Sequence, residues 1–187
     1  LKVDPGNFMA LYNLGLEEAR KGEIKEAIKS FEAALQAYRE QDGKEVLQEL
    51  EYNLGKLHLL AGNSHKAVKF LEKVRPNMQG RASEAKLFRF LGFAYSNLGE
   101  DQKAVSWLQR ALQINEFDAD AMGLLGQLYL NGKQGDDIAL SLCEKAVDLE
   151  PQNLDCLLKL ASVQLGCGRF EEAGILLRKC IRYKRIY

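Results

Sequence analysis

Four cysteines, Cys143, Cys156, Cys167 and Cys180, are the side chains best suited to soft-metal or redox chemistry in this chain. Their spacing argues against both. Successive gaps are 13, 11 and 13 residues, with no Cys-x2-Cys pair, and His58 and His65 lie far upstream; a structural zinc site draws its ligands in closely spaced pairs. Three of the four fall inside apolar helical patterns and read as reduced core thiols, whereas Cys167 falls in a turn and is the one expected to react. Catalysis by a nucleophile or an acid-base pair needs a base within reach of its partner. With one histidine at a core-facing position and the other at a helix start, no triad forms. Glu17-Glu18 and Glu171-Glu172 diverge around a helix and read as solvated faces. Gly132 to Gly135 lacks the Gly-Lys-Ser/Thr ending of a phosphate cradle. The basic end, Arg178, Lys179, Arg182, Lys184 and Arg185, is the one nucleic-acid or membrane candidate, and cations there also complement a helix dipole. Lys plus Arg and Asp plus Glu both number 26, so the chain as a whole has no electrostatic reason to seek a polyanion. The expectation is a protein that is not an enzyme, with no metal, no cofactor, no nucleic acid and no membrane.

The elements that position these residues follow from composition and period. Hydrophobic residues make up 47% and charged residues 28% of the 187, with three prolines, the profile of a folded, helix-rich chain. No apolar run approaches the roughly 20 residues of a membrane span, and no signal-peptide pattern opens the sequence. Because the first residue is Leu1, the natural amino terminus is expected upstream, and a cytoplasmic location is only the default.

An internal repeat organises the whole chain. Leu14-Gly15, Leu54-Gly55, Leu91-Gly92, Leu125-Gly126 and Leu160-Ala161 recur at gaps of 40, 37, 34 and 35 residues. An alanine follows each pair 12 or 13 residues later: Ala27, Ala67, Ala104, Ala139 and Ala173. Four residues beyond stands a larger side chain, Phe31, Leu71, Leu108, Cys143 or Leu177, and three further on Ala34, Val74, Ala111, Ala146 or Cys180. A small residue in a first helix lets a second helix approach, and the second presents its own stripe at helical spacing. Gly22, Gly62, Gly99 and Gly168 fall where each first helix must stop, in the left-handed conformation of a C-terminal cap. The fourth turn, Asn131 to Gly135, is one residue longer and carries two glycines. Trp107, on a second helix, reads as a packing residue between repeats.

Phe88-x2-Leu91-Gly92-x2-Tyr95 with Ala104-x3-Leu108, and Met122-x2-Leu125-Gly126-x2-Tyr129 with Ala139, Cys143 and Pro151, resemble the tetratricopeptide repeat. The resemblance implies an all-α, right-handed superhelical solenoid of antiparallel helix pairs, one domain over 1–187. Repeats are expected at about 8–41, 48–81, 85–118, 119–153 and 154–187, after a 1–7 tail, Asp4-Pro5-Gly6-Asn7, that looks like the terminal turn of a preceding repeat. Insertions at Tyr38 to Glu49 and Pro76 to Ser83 lengthen helices or loosen loops in the first two repeats. The last repeat lacks the polar capping helix that terminal repeats normally carry, so the chain reads as a fragment of a longer array with apolar surface at both ends.

The same resemblance implies that first helices line a concave groove. By position the groove receives Met9, Tyr12, Leu16, Ala19 and Arg20 from repeat one, Glu49, Tyr52, Lys56, Leu59 and Leu60 from repeat two, and Lys86, Arg89, Phe93, Ser96 and Asn97 from repeat three. Repeats four and five add Asp120, Gly123, Gln127, Leu130 and Asn131, then Asp155, Leu158, Ser162, Leu165 and Gly166. Tyr12, Tyr52 and Phe93 beside Lys56, Lys86 and Arg89 make the amino-terminal half aromatic and basic, a surface for an extended or helical peptide with acidic and apolar residues. The arrangement by which some relatives capture a carboxylate tail is matched only at Asn53 and Lys86. Charge reversal on outward faces, at Glu32 or Lys145, should change little. The function expected is a protein-interaction scaffold with an unidentified protein or peptide partner. The alternative is an assembly module of a larger enzyme, or of a secretion or polysaccharide-assembly machine, self-associating through its exposed ends. With no ligand spacing for zinc, elemental analysis of the purified chain should find no stoichiometric metal; one zinc per chain would overturn this reading.

Overall fold

A computed structural model describes residues 7–39, 43–75, 81–132 and 135–184. Among them are ten helices and no strand: α1 Phe8–Arg20, α2 Ile24–Ala37, α3 Lys44–Leu60, α4 Ser64–Leu71, α5 Arg81–Asn97, α6 Asp101–Ile114, α7 Ala119–Asn131, α8 Asp136–Leu149, α9 Leu154–Gly166 and α10 Phe170–Lys184. The chain divides into two compact units, Leu1–Glu100 with α1 to α5 and Asp101–Tyr187 with α6 to α10. The expected tail at 1–6 lies outside the described residues.

Local chemistry sets the helix boundaries. Asn7, Asp118 and Asn153 start α1, α7 and α9, each side chain accepting a first-turn amide hydrogen, from Ala10, from Ala121 and from Asp155 and Cys156 respectively. At the other ends Gly22, Gly62, Gly99 and Gly168 take φ of 73 to 78°, where a side chain would clash with its own backbone. In the longer fourth turn this role passes to Gly135, at φ 120° immediately before α8, while Gly132 stays at φ −78°.

In the first unit, α1 packs on α2, α3 on α2 and α4, and α5 on α3 and α4. The pairs close through the anchor glycines. A Cβ added at Gly15 would lie 2.8 Å from the Phe31 ring, and one at Gly55 would lie 2.6 Å from Leu71. Phe8, Tyr12, Phe31 and Tyr38 form a ring cluster, with Tyr12 5.6 Å from Phe31 and Phe8 5.7 Å from Tyr38 between centroids. In the second unit α7 packs on α8, and α9 lies against both before meeting α10. Gly126 is the tightest point of α7: an added Cβ would meet Cys143 Sγ at 2.5 Å and the Ala139 carbonyl oxygen at 2.8 Å.

Where the insertions in the first two repeats are described, their last residues, 44–49 and 81–83, are helix. α3 and α5 are 17 residues long against 13 for α1, α7 and α9, and each begins about one turn before the start that the repeat period predicts. Just past its added turn, α3 secures the chain after the short α4. Gln48 Nε2 donates to the Lys73 carbonyl at 3.3 Å, the Arg75 amide donates to Gln48 Oε1 at 2.6 Å, and Lys73 pairs with the buried Glu51 at 3.5 Å.

Glu32, an outward position on α2, faces side chains of the next helix pair. Its carboxylate lies 3.7 Å from both His58 Nε2 and Lys66 Nζ. His58 is 1% exposed and stacks on Phe70 at 5.6 Å. Burial, and then Lys66, hold its imidazole below the ordinary value of 6.5, while Glu32 pulls the other way. In the unfolded chain this ring takes up a proton near pH 6.5; folded, it does so only at lower pH. Its contribution is therefore full above pH 6.5 and is lost as pH falls from there through the folded-state value. Burial raises the Glu51 carboxyl, so that group acts in the opposite sense, within the carboxylate range.

Two outcomes are expected. Gly126→Ala should destabilise by about 1–3 kcal/mol, because the clash includes rigid backbone and a packed core resists enlargement; urea unfolding with no loss would mean that α7 and α8 are paired differently. The fall in urea stability between about pH 7.5 and 5.5 should be smaller in His58→Phe, which keeps the stack on Phe70 without a titrating ring; an unchanged pH slope would show that His58 does not titrate in this way.

Candidate functional site

Tyr12, Leu16, Tyr52, Asn53, Lys56, Lys86, Arg89, Phe93 and Asn97, nine of the residues expected to serve binding, lie on α1, α3 and α5 of the first unit, and several of them meet. Tyr52 approaches Phe90 edge to face with centroids 5.9 Å apart, and the Arg89 guanidinium lies 5.4 Å from the centre of the same Phe90 ring. The stack holds an aromatic pair and a cation together, an arrangement that presents apolar surface and charge at one place. Burial raises the Tyr52 phenol, partly offset by Arg89, so the ring stays neutral.

Tyr12 departs from the expectation. Its ring is 5% exposed and belongs to the core, packed against Phe8 and Phe31. Only its hydroxyl faces α3, donating to Glu49 and accepting from Asn53 Nδ2 at 3.5 Å. Burial and the adjacent Glu49 carboxylate push this phenol well up. Lys56, Lys86 and Asn97 are exposed, and Leu16, Asn53, Arg89 and Phe93 are half-buried. Tyr95 on α5 is buried and bonds Glu72; burial and that carboxylate push its phenol up to about 12. Gln127, the tenth residue, is half-buried on α7 in the second unit.

Sequence reasoning passed over Phe90. Phe90 had a signal: it stands one residue from Arg89, on the helix that packs against α3.

In the second unit one cluster has the composition of a metal site. Ligand atoms of Asp120, Glu150 and Cys156 lie within 4.8 Å of one another. The Asn153 amide donates to Asp120 at 3.3 Å and Glu150 at 2.6 Å, and its carbonyl caps α9. Burial and then Asp120 push the Cys156 thiol up to about 11, so it keeps its proton. The group is a helix-start hydrogen-bond network. Burial pushes the Cys143 thiol up to about 12; Cys156 and Cys180 are also buried, and Cys167 is half-buried. Among the described residues no helix is long and apolar enough to cross a membrane.

Comparison with known proteins places this architecture. Family models described as tetratricopeptide repeat match residues 7–80, and residues 85–118 and 154–187. Human superkiller complex protein 3 is 31% identical over 96 residues, 51% of this chain and 6% of that protein. Human protein O-mannosyl-transferase TMTC1 is 36% identical over 83 residues, 44% of this chain and 9% of its own length. The chain thus matches less than a tenth of each of these relatives. The crystal structure of TTC0263, a tetratricopeptide protein of Thermus thermophilus, superposes with a TM-score of 0.71 at 22% identity, covering 95% of this chain and 91% of that one. The fold is all-α and tetratricopeptide-like, a class that typically serves as a scaffold for protein–protein interaction. With these matches over most of its length, the chain belongs to the tetratricopeptide repeat family.

Proposed function

We propose that the α1/α3/α5 face of the first unit binds, without catalysis, an extended or helical peptide rich in acidic and apolar residues. The observation that carries this reading is the Tyr52–Phe90–Arg89 stack on a face that also exposes Lys56 and Lys86. An apolar partner side chain gains from burial against Tyr52, Phe90 and Phe93, while acidic groups gain charge-assisted bonds from the cations. Asn53 and Asn97 serve the peptide backbone, and Leu16 extends the apolar floor toward α1. Glu49 limits the acidic stretch, since a carboxylate laid beside it is repelled. The match to a protein named as an O-mannosyl-transferase favours, as a second reading, an accessory module of a larger enzyme.

Capture of partners from lysate tests the proposal, using wild type and Tyr52→Ala plus Arg89→Ala after circular dichroism shows equal folding. Truncating an aromatic anchor or a desolvated Arg usually costs at least about 2 kcal/mol, so the double variant should lose its partners, and added salt should weaken those that remain. Retention of every partner by the double variant would remove the groove reading.

A further inference from the structure

The α3 and α5 part of the binding face is built in levels one helical turn apart. Because α4 turns the chain back between them, α3 and α5 run in the same direction. Their equivalent positions differ by the 37 residues that separate Leu54-Gly55 from Leu91-Gly92. One level is the Tyr52–Phe90–Arg89 stack. Four residues on, Lys56 matches Phe93, and four further on Leu60 matches Asn97. In the opposite direction Glu49 matches Lys86. Residues at i, i+4 and i+8 share one side of a helix, so Tyr52, Lys56 and Leu60 form a line along α3.

Each level of that line has its own chemistry. Leu60 is 62% exposed, a large apolar side chain held in water two turns beyond the aromatic stack. Between them stands the exposed Lys56, with the half-buried Phe93 at the matching position. Arg89 lies over the Phe90 ring, and Glu49 offsets Lys86, which leaves Lys56 as the cation to which a partner's acid is drawn. The line reads apolar, cationic, apolar; its complement is apolar, acidic, apolar.

Spacing and backbone chemistry select the form of that complement. Four helical residues rise about 6 Å, and alternate residues of an extended chain, which share one face, recur about 6.6 Å apart. A helix has the same rise between i and i+4, but its backbone is bonded internally. An extended backbone needs partners, and the exposed Asn97 offers an amide donor and acceptor at the level of Leu60.

We infer that this face reads an extended segment with an apolar residue, an acid two positions on and a second apolar residue two beyond that, seated on Tyr52–Phe90, Lys56 and Leu60 in turn. This rests on the binding role proposed above and makes Leu60 a specificity-determining residue.

Fluorescence anisotropy with labelled peptides tests the motif. The first probe is Ser-Phe-Ser-Glu-Ser-Leu-Ser. The second, Ser-Phe-Glu-Ser-Ser-Leu-Ser, has the same composition with the acid moved off the shared face, and the third sets Phe, Glu and Leu four residues apart in an alanine-rich helix. The first should bind about tenfold or more tightly than either of the others. Leu60→Ser, at an exposed position, should weaken it about fivefold. Lys56→Glu should weaken it about tenfold, and a first probe with Lys in place of Glu should recover binding to that variant. Circular dichroism checks that both variants fold. Equal binding of the three peptides, no saturable binding of the first, indifference to Leu60→Ser, or no recovery by the charge exchange would each overturn the motif. Those results leave the binding role standing where Tyr52→Ala plus Arg89→Ala still loses its partners from lysate; retention of those partners removes the role and the motif together.

Discussion

Close approach between a small residue on one helix and a larger one on its neighbour is the constraint on which both units depend. Gly15 lies against Phe31, Gly55 against Leu71 and Gly126 against Cys143. Each contact removes a side chain from one helix so that the opposite one fills the space at core density. The axis separation is then fixed, and with it the side on which every other residue of the pair falls. The face presented by α1, α3 and α5 is a consequence of that packing: it carries the residues opposite the glycine stripe.

Much of the fold was legible because the constraint is periodic. The recurring Leu-Gly pairs mark where helices touch, the alanines mark the second helix, and the turn glycines mark the stops. What period could not convey was the fate of the irregular segments. The insertions before α3 and α5 have no counterpart in the other repeats, so helix and loop were equally compatible with them. The structure places Gln48 and Glu51 in α3 just past its added turn, where they satisfy the polar groups following the short α4, and that contact connects residues some 25 positions apart.

The candidate face was legible as a set of positions and less so as a set of environments. Lys56, Lys86 and Asn97 are exposed as register implies, since a helix face opposite a packed stripe must meet solvent. Tyr12 shows the limit. Register assigned it to the groove, but its ring packs in the core against Phe8 and Phe31, leaving the hydroxyl to Glu49 and Asn53. Glu32 shows the converse, an outward position whose carboxylate faces a buried imidazole contributed by another helix. Neither outcome depends on spacing along one helix; both depend on which large side chains happen to converge, information that one repeat does not contain.

The distribution of thiols gives the molecule a chemical reporter on one side only. All four cysteines belong to the second unit, three buried with their thiols held protonated and Cys167 half-exposed at the end of α9. Alkylation of Cys167 reads the folded surface, while modification of Cys143, Cys156 and Cys180 requires α8, α9 and α10 to part. The rates of those slower reactions measure how often the second unit opens, and the first unit, having no cysteine, contributes nothing to the signal.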